Sequence, residues 1–176
     1  MKRSPIPFEH FCADIFAALN NRWMLLTAGG KDAGTYNIMT ISWGAVGVLW
    51  NKPIAVVFVR PSRHTYGFME GGHTFTLCAF PSEFKDSLTL CGTSSGRTID
   101  KIKECGFTPV PSSLVSTPGF DEAELILECR KIYYDDIKPA HFLAPYIEGN
   151  YKGHDYHRLY IGEIAAIQGT SDYRKN

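Results

Sequence analysis

No apolar run in this chain of 176 residues approaches the roughly 18 that a membrane-spanning helix needs. The opening MKRSPIPFEH has two charges but no apolar stretch behind them, so it does not read as a secretory leader. A cytoplasmic protein without membrane contact is expected. Charge of one sign is missing too: 18 basic residues are matched by 18 acidic ones, and nothing draws the whole molecule to nucleic acid. Any anion must be held by a local cluster. The five cysteines, Cys12, Cys78, Cys91, Cys105 and Cys129, are odd in number and form no CxxC pair, which excludes a disulfide framework and predicts reduced thiols, most of them small core residues. No GxGxxG opens a helix after a strand, so a classical dinucleotide fold is not supported. Repeats, low-complexity tracts and linkers are absent as well.

The remaining pattern is that of one domain, with 44% hydrophobic residues to fill its core. Phe8, Phe11, Cys12, Ile15, Phe16 and Leu19 fall at helical spacing and predict an amphipathic helix. Trp23 to Ala28 reads as a strand, GGKDAG as a hairpin turn, and Tyr36 to Trp43 as the returning strand. Ile54 to Val59 is a β-branched strand apolar on both faces, expected to be central. Thr65 is placed as the cap of a short helix through Glu70. Further strands are expected over Phe75–Ala79, Ala123–Tyr134 and Leu159–Ile167, with short helices after Ser82 and over Thr98–Cys105. Six or so strands joined mostly by turns predict a mainly β antiparallel barrel with added helices. A loop of about twenty residues, DDIKPAHFLAPYIEGNYKGHDYH, separates the last two strands, and loops of that length tend to be functional.

Chemistry concentrates between Tyr36 and Tyr66. In YNIMTISW, Asn37, Met39, Ile41 and Trp43 alternate with Tyr36, Ile38, Thr40 and Ser42, so one face is apolar and the other carries hydroxyls. Such a strand offers backbone and hydroxyl groups to the edge of a planar ring. RPSRHTY packs Arg60 and Arg63 with Ser62 and Thr65 beside a helix start, a donor density that suits a phosphate. The plain alternatives are an ordinary amphipathic strand and a solvated turn. His141, His154, Asp155 and His157 lack the spacing of a metal site, and the adjacent Asp135 and Asp136 diverge on a strand rather than forming an acid/base pair.

Taken in order, NRWMLLTAG, YNIMTISWGAVGVLWNKP, VFVRPSRHTYGFM, CGTSSGRTIDK and NYKGHDYHRLYIGEI resemble the flavin reductase-like family of FMN-binding split barrels. The resemblance spans nearly the whole chain and rests on the RxSRxT and SGRxxDK turns. It implies a six-stranded Greek-key barrel with short flanking helices, FMN as cofactor and a homodimer with the flavin near its interface. By motif, Met39, Thr40, Ser42 and Trp43 fall where the family lines the isoalloxazine, and Arg60, Ser62, Arg63 and Thr65 where it holds the phosphate. Cys91, Ser95, Gly96 and Lys101 fall in the second turn, which approaches the flavin or its phosphate. Tyr156, His157 and Arg158 are expected to reach the site from either subunit. The implied activity passes hydride from NAD(P)H, the nicotinamide cosubstrate, to FMN and electrons onward. The alternative is a flavoredoxin-type carrier reduced by a redox partner protein, and a third reading is a flavin-free binding module. The flavin carries the chemistry in the first two, so no catalytic side chain is implied.

Overall fold

A computed structural model describes residues 2–32 and 34–175. Among the described residues there are ten strands: β1 (Ser4–Pro5), β2 (Met24–Gly29), β3 (Tyr36–Ile41), β4 (Gly44–Leu49), β5 (Lys52–Val59), β6 (Thr74–Ala79), β7 (Pro109–Val110), β8 (Gly119–Phe120), β9 (Leu125–Asp136) and β10 (Arg158–Gly169). Three α-helices lie among them: α1 (His64–Gly71), α2 (Lys85–Thr93) and α3 (Lys101–Cys105). Seven strands pair antiparallel in the order β3-β2-β6-β9-β10-β5-β4, and β1 adds to the far end of β10. The mainly β antiparallel class is as expected, with one long strand more than six. The extra one is β4, whose Gly44, Ala45 and Gly47 carry too little side chain to announce a strand. It pairs with β5 through a turn in which Trp50 and Asn51 both take positive φ, 53° and 58°, the geometry of a two-residue hairpin.

The sheet must be rolled. Laid flat, seven strands would hold β3 and β4 roughly 29 Å apart at about 4.8 Å per neighbour. Met39 and Ile41 of β3 instead share one buried cluster with Ala55, Val57 and Val59 of β5, and Val46 of β4 packs against it. β10 is the spine of the roll: it pairs with β9 along its length and with β5 through Arg158–Glu163. Register breaks at Ile161/Gly162 and Ile164/Ala166 bend it. At the first break the β9 and β6 side chains come so close that a Cβ on Gly162 would lie 2.5 Å from the Phe75 ring. β3 and β4 do not pair with each other although only Ser42 and Trp43 separate them, so the barrel is split where the chain crosses from one sheet edge to the other.

A second cluster covers the outer face of β2, β3 and β6, where Leu25, Ile38 and Cys78 meet Leu88, Cys91, Phe107 and Phe120. This corrects the hydroxyl-bearing face expected for Tyr36–Trp43. Ile38 is buried there, and the Thr40 hydroxyl donates to the Leu88 carbonyl of α2 at 2.5 Å. The N-terminal helix is a second correction. Phe8–His10 is a 3-10 turn and Ala17–Arg22 a π-type turn, while Phe16 stands 89% exposed. The C-terminal segment takes the backbone groups a helix would have used: Cys12 N–H donates to Tyr173 and Lys175 N–H to His10. β2 and β3 pair as a hairpin as expected; of the predicted GGKDAG turn, Ala33 lies outside the described residues. Among the described residues no helix is long and apolar enough to cross a membrane.

Candidate functional site

The split between β3 and β4 opens a cavity of about 240 Å³. Met39, Thr40, Ser42 and Trp43 line one side, and Phe58, Arg60 and His157 the other. The strand–turn unit read from the sequence therefore places Ser42 and Arg60 on one cavity. An apolar groove continues from it past Trp43 and Phe58 to Ile15, Phe16, Leu19 and Val46.

Behind the β5–α1 turn lies a second cavity of about 250 Å³, walled by Ser62–Thr65 and by the loop Thr93–Arg97, with Lys101 at its base. Local sequence builds both walls. Asp100 caps α3, its carboxylate accepting from the Ile102 and Lys103 amides, and Gly106 closes the helix at φ 65°. These two caps set Lys101 in the first turn, where its Nζ donates to the carbonyls of Ile38 (3.0 Å) and Cys91 (2.8 Å). Gly96 lets the loop close against β3, since a Cβ there would stand 2.2 Å from Asn37 Oδ1. Asn37 in turn donates to the buried Thr65 hydroxyl at 2.8 Å. Thr65 is thus inside the first turn of α1 rather than at its cap, which is Arg63.

Gly92 links a wall of each cavity, Arg63 of the second and Thr40 of the first. Arg63 donates to the Gly92 carbonyl at 2.6 Å, and a Cβ on Gly92 would touch Thr40 at 3.4 Å. Electrostatics here is one-sided. Burial and then Arg60 push the Arg63 guanidinium below the ordinary arginine range. Burial lowers the Lys101 ammonium, partly opposed by Cys91. Burial, Arg97 and Lys101 lower the His64 imidazole. Among the described residues no carboxylate pairs with Arg60, Arg63, Arg97 or Lys101, whereas Arg3, Arg22 and Arg158 each have one. Lys101 is 4% exposed, and a buried cation is costly unless an anion or a full set of acceptors meets it.

Not every predicted residue faces these cavities. Cys91 is fully buried in the outer cluster and its thiol contacts Cys105, so only its carbonyl serves the site. Ser62 lines the second cavity, but its amide and hydroxyl donate to Asp155. Of Tyr156, His157 and Arg158, His157 lines the β3–β4 cavity, and the other two line neither of the two cavities. Arg158 is held by Asp136 and Glu70, and Tyr156 donates to Glu148.

The loop between β9 and β10 folds into 3-10 turns against the site. Asn150 accepts from Arg60 at 2.8 Å, and the Tyr151 ring lies 5.3 Å from the Arg60 guanidinium. His157 packs between Trp43 and Tyr151 and shares a hydrogen bond with the Tyr151 hydroxyl. Burial, then Arg60, pushes its imidazole down to about 4. Sequence reasoning missed Arg97 and Tyr151, and weighed Asp155 only as a metal ligand, not as the partner of Ser62. Long-range pairing of a loop carboxylate with Ser62 leaves no local signal. The other histidines are spread out: His154 contacts Tyr156, and among the described residues no group of three or more His, Cys, Asp or Glu converges as metal ligands.

The chain is similar to known proteins in sequence and in fold. Residues 16–176 match the family model described as flavin reductase like domain. An uncharacterised protein of Pyrococcus abyssi is 28% identical over 146 residues, covering 82% of this chain and 72% of its own. Flavoredoxin of Methanosarcina acetivorans superposes with a TM-score of 0.65 at 24% identity, covering 86% of this chain and 70% of that one. Flavoredoxin of Desulfovibrio vulgaris (Miyazaki F) gives 0.67 at 22% identity, with 88% and 73% covered. An FMN-binding domain of a flavin reductase-like enzyme from Shewanella baltica gives 0.67 at 17%, with 99% and 85% covered. At these identities the superpositions speak for the fold, while the family match spans most of the sequence. The chain belongs to the flavin reductase-like, FMN-binding family of oxidoreductases.

Proposed function

We propose that the protein holds FMN across the two cavities and passes hydride from NAD(P)H to it, and electrons onward to an acceptor. The observation that carries this reading is the convergence of Arg63, Arg97 and Lys101 on one phosphate-sized cavity without a carboxylate among the described residues, next to a cavity that suits one edge of a planar ring. The donor set fits the group: a phosphomonoester would meet charge-assisted donors from Arg63 and Lys101 and hydroxyls from Ser94 and Ser95. Ser42 and the β3–β4 crossover supply the polar edge for the ring, and Met39 and Trp43 its apolar contacts. Bound there, the flavin supplies the hydride-accepting chemistry. The chain's own part is to orient the rings and exclude water. His157, buried and kept neutral, closes the ring cavity without adding a proton donor at neutral pH.

The apolar groove beside Trp43 gives a nicotinamide a surface to stack on, or a second copy a surface to cover. We favour a homodimer, because β4 ends in exposed Val48 (77%), Leu49 and Trp50 (59%) beside that groove. A carrier reduced by a protein partner is the second reading, favoured by the likeness to two flavoredoxins. Anaerobic mixing of FMN-loaded protein with NADH and with NADPH separates the two. Bleaching within seconds supports the reductase, and no reaction with either nucleotide supports the carrier. If the purified chain takes up no FMN at micromolar concentration, both readings fail.

A further inference from the structure

Cys91 sits in the last turn of α2 and Cys105 in the last turn of α3, and their Sγ atoms are 3.6 Å apart. A disulfide needs ~2.0 Å, so closure requires an approach of roughly 1.6 Å, within the reach of side-chain rotation and a small helix shift. The segment between them, 92–104, supplies Thr93–Arg97 and Lys101 to the wall of the phosphate-sized cavity; at its start Gly92 accepts from Arg63, and from its far part Lys101 reaches back to donate to the Cys91 carbonyl. The two thiols are unequal. Cys91 is fully buried, whereas Cys105 is partly exposed and donates to the Ser87 carbonyl. Lys101 lies close enough to Cys91 to favour its anionic form, against the larger effect of burial.

We propose that Cys91 and Cys105 are a peroxide-responsive thiol pair whose disulfide staples the 92–104 loop. In the first step the Cys105 thiolate attacks a hydroperoxide: an S–O bond forms, the O–O bond breaks, and hydrogen peroxide leaves one water after protonation. Cys105 is then a sulfenic acid. In the second step Cys91 sulfur attacks the Cys105 sulfur, the S–O bond breaks, and hydroxide leaves as water with the Cys91 proton. Two thiols are oxidised by two electrons and one peroxide is reduced to two waters. Burial and contact with Cys105 push the Cys91 thiol up to about 12, but the neutral sulfenic acid removes the Cys105 charge that contributes to that rise, while Lys101 remains. The exposed partner therefore reacts with oxidant, and the buried one resolves it. A dithiol reverses the reaction by exchange.

Bond formation stands independently of the flavin reading, so the test is done on the full chain without added ligand. Hydrogen peroxide is added, free thiols are blocked by alkylation, and the protein is mapped by mass spectrometry. The expected result is a loss of two hydrogens, a fall in alkylatable cysteines from five to three as one pair is consumed, a Cys91–Cys105 linked peptide, and full reversal by dithiothreitol. Hydrogen exchange across 92–104 is expected to slow in the oxidised form. In Cys91→Ser, Cys105 is expected to stop at a sulfenic acid that a dimedone probe captures, and in Cys105→Ser, Cys91 is expected to stay reduced. Overoxidation of Cys105 in the unaltered chain without a link to Cys91, or a link formed first through exposed Cys12, overturns the proposal. Unchanged exchange in the oxidised loop overturns the staple.

Discussion

Replacing Arg63 with alanine separates the phosphate site from every other contribution to binding. The guanidinium is half-buried, makes one hydrogen bond, to the Gly92 carbonyl, and is pushed below its ordinary range by burial and by Arg60. Its removal from the ligand-free protein therefore relieves an unfavourably placed charge and leaves one carbonyl short of a donor. These effects oppose each other, so stability is expected to change little. With FMN bound, the same substitution removes a charge-assisted partner of the phosphate, a loss of about 1.5–3 kcal/mol or roughly 10- to 160-fold in Kd. Riboflavin has the ring and sugar chain but no phosphate. Titration of flavin fluorescence should show the affinity for FMN falling by that factor while the affinity for riboflavin stays the same. Arg63→Lys should fall between, because it keeps the charge and loses the planar fork. If FMN and riboflavin weaken together, or FMN binding is unchanged, the assignment of the Ser62–Arg97 cavity to phosphate is refuted.

Other consequences follow from individual contacts. His157 is held neutral at about 4 against an unfolded value of about 6.5, so between those limits the unfolded chain binds the extra proton. Stability is then fully present above about pH 6.5 and falls by up to about 1.4 kcal/mol per pH unit as pH drops towards 4; urea unfolding should show this slope, and His157→Gln should flatten it. Gly162→Ala forces a methyl to 2.5 Å from the Phe75 ring and 2.9 Å from Cys129 Cβ, and is expected to cost at least about 1–3 kcal/mol in the same assay. An unchanged midpoint would show that the β10 bend is not needed for packing. Light scattering should give twice the single-chain mass of 19.7 kDa, and Val48→Lys with Trp50→Lys should return it to one chain; a single-chain mass for the unaltered protein removes the dimer.

The strands were legible because their burial alternates or is complete. Phe75, Leu77 and Ala79 of β6 and Leu125, Leu127 and Cys129 of β9 sit in the core as their spacing demands. Where a segment's backbone partners lie far off in the chain, periodicity misled. Phe8–Leu19 has a helical stripe, but its Cys12 amide and His10 carbonyl pair with Tyr173 and Lys175. The candidate site divided along the same line. Arg60 and Arg63 were readable from local donor density and line the first and the second cavity respectively, whereas Lys101 came only with the SGRxxDK resemblance. Thr40 was not readable as a packing residue, because nothing local tells that α2 folds onto β3. Arg158 looked like a site residue by position, yet Asp136 across the β9–β10 ladder and Glu70 of α1 take its guanidinium. Asp155, which anchors Ser62, sits 93 residues away from it.

The most direct test is a crystal structure of the protein grown with FMN. The phosphate is expected between Arg63 and the Ser94–Arg97 loop, within hydrogen-bonding distance of Lys101 or a bridging water, with the ring edge against Ser42 and its face on Met39 or Trp43. A phosphate lodged elsewhere, such as the larger cavity by Ile99 and Pro109, or a ring outside the split between β3 and β4, contradicts the account.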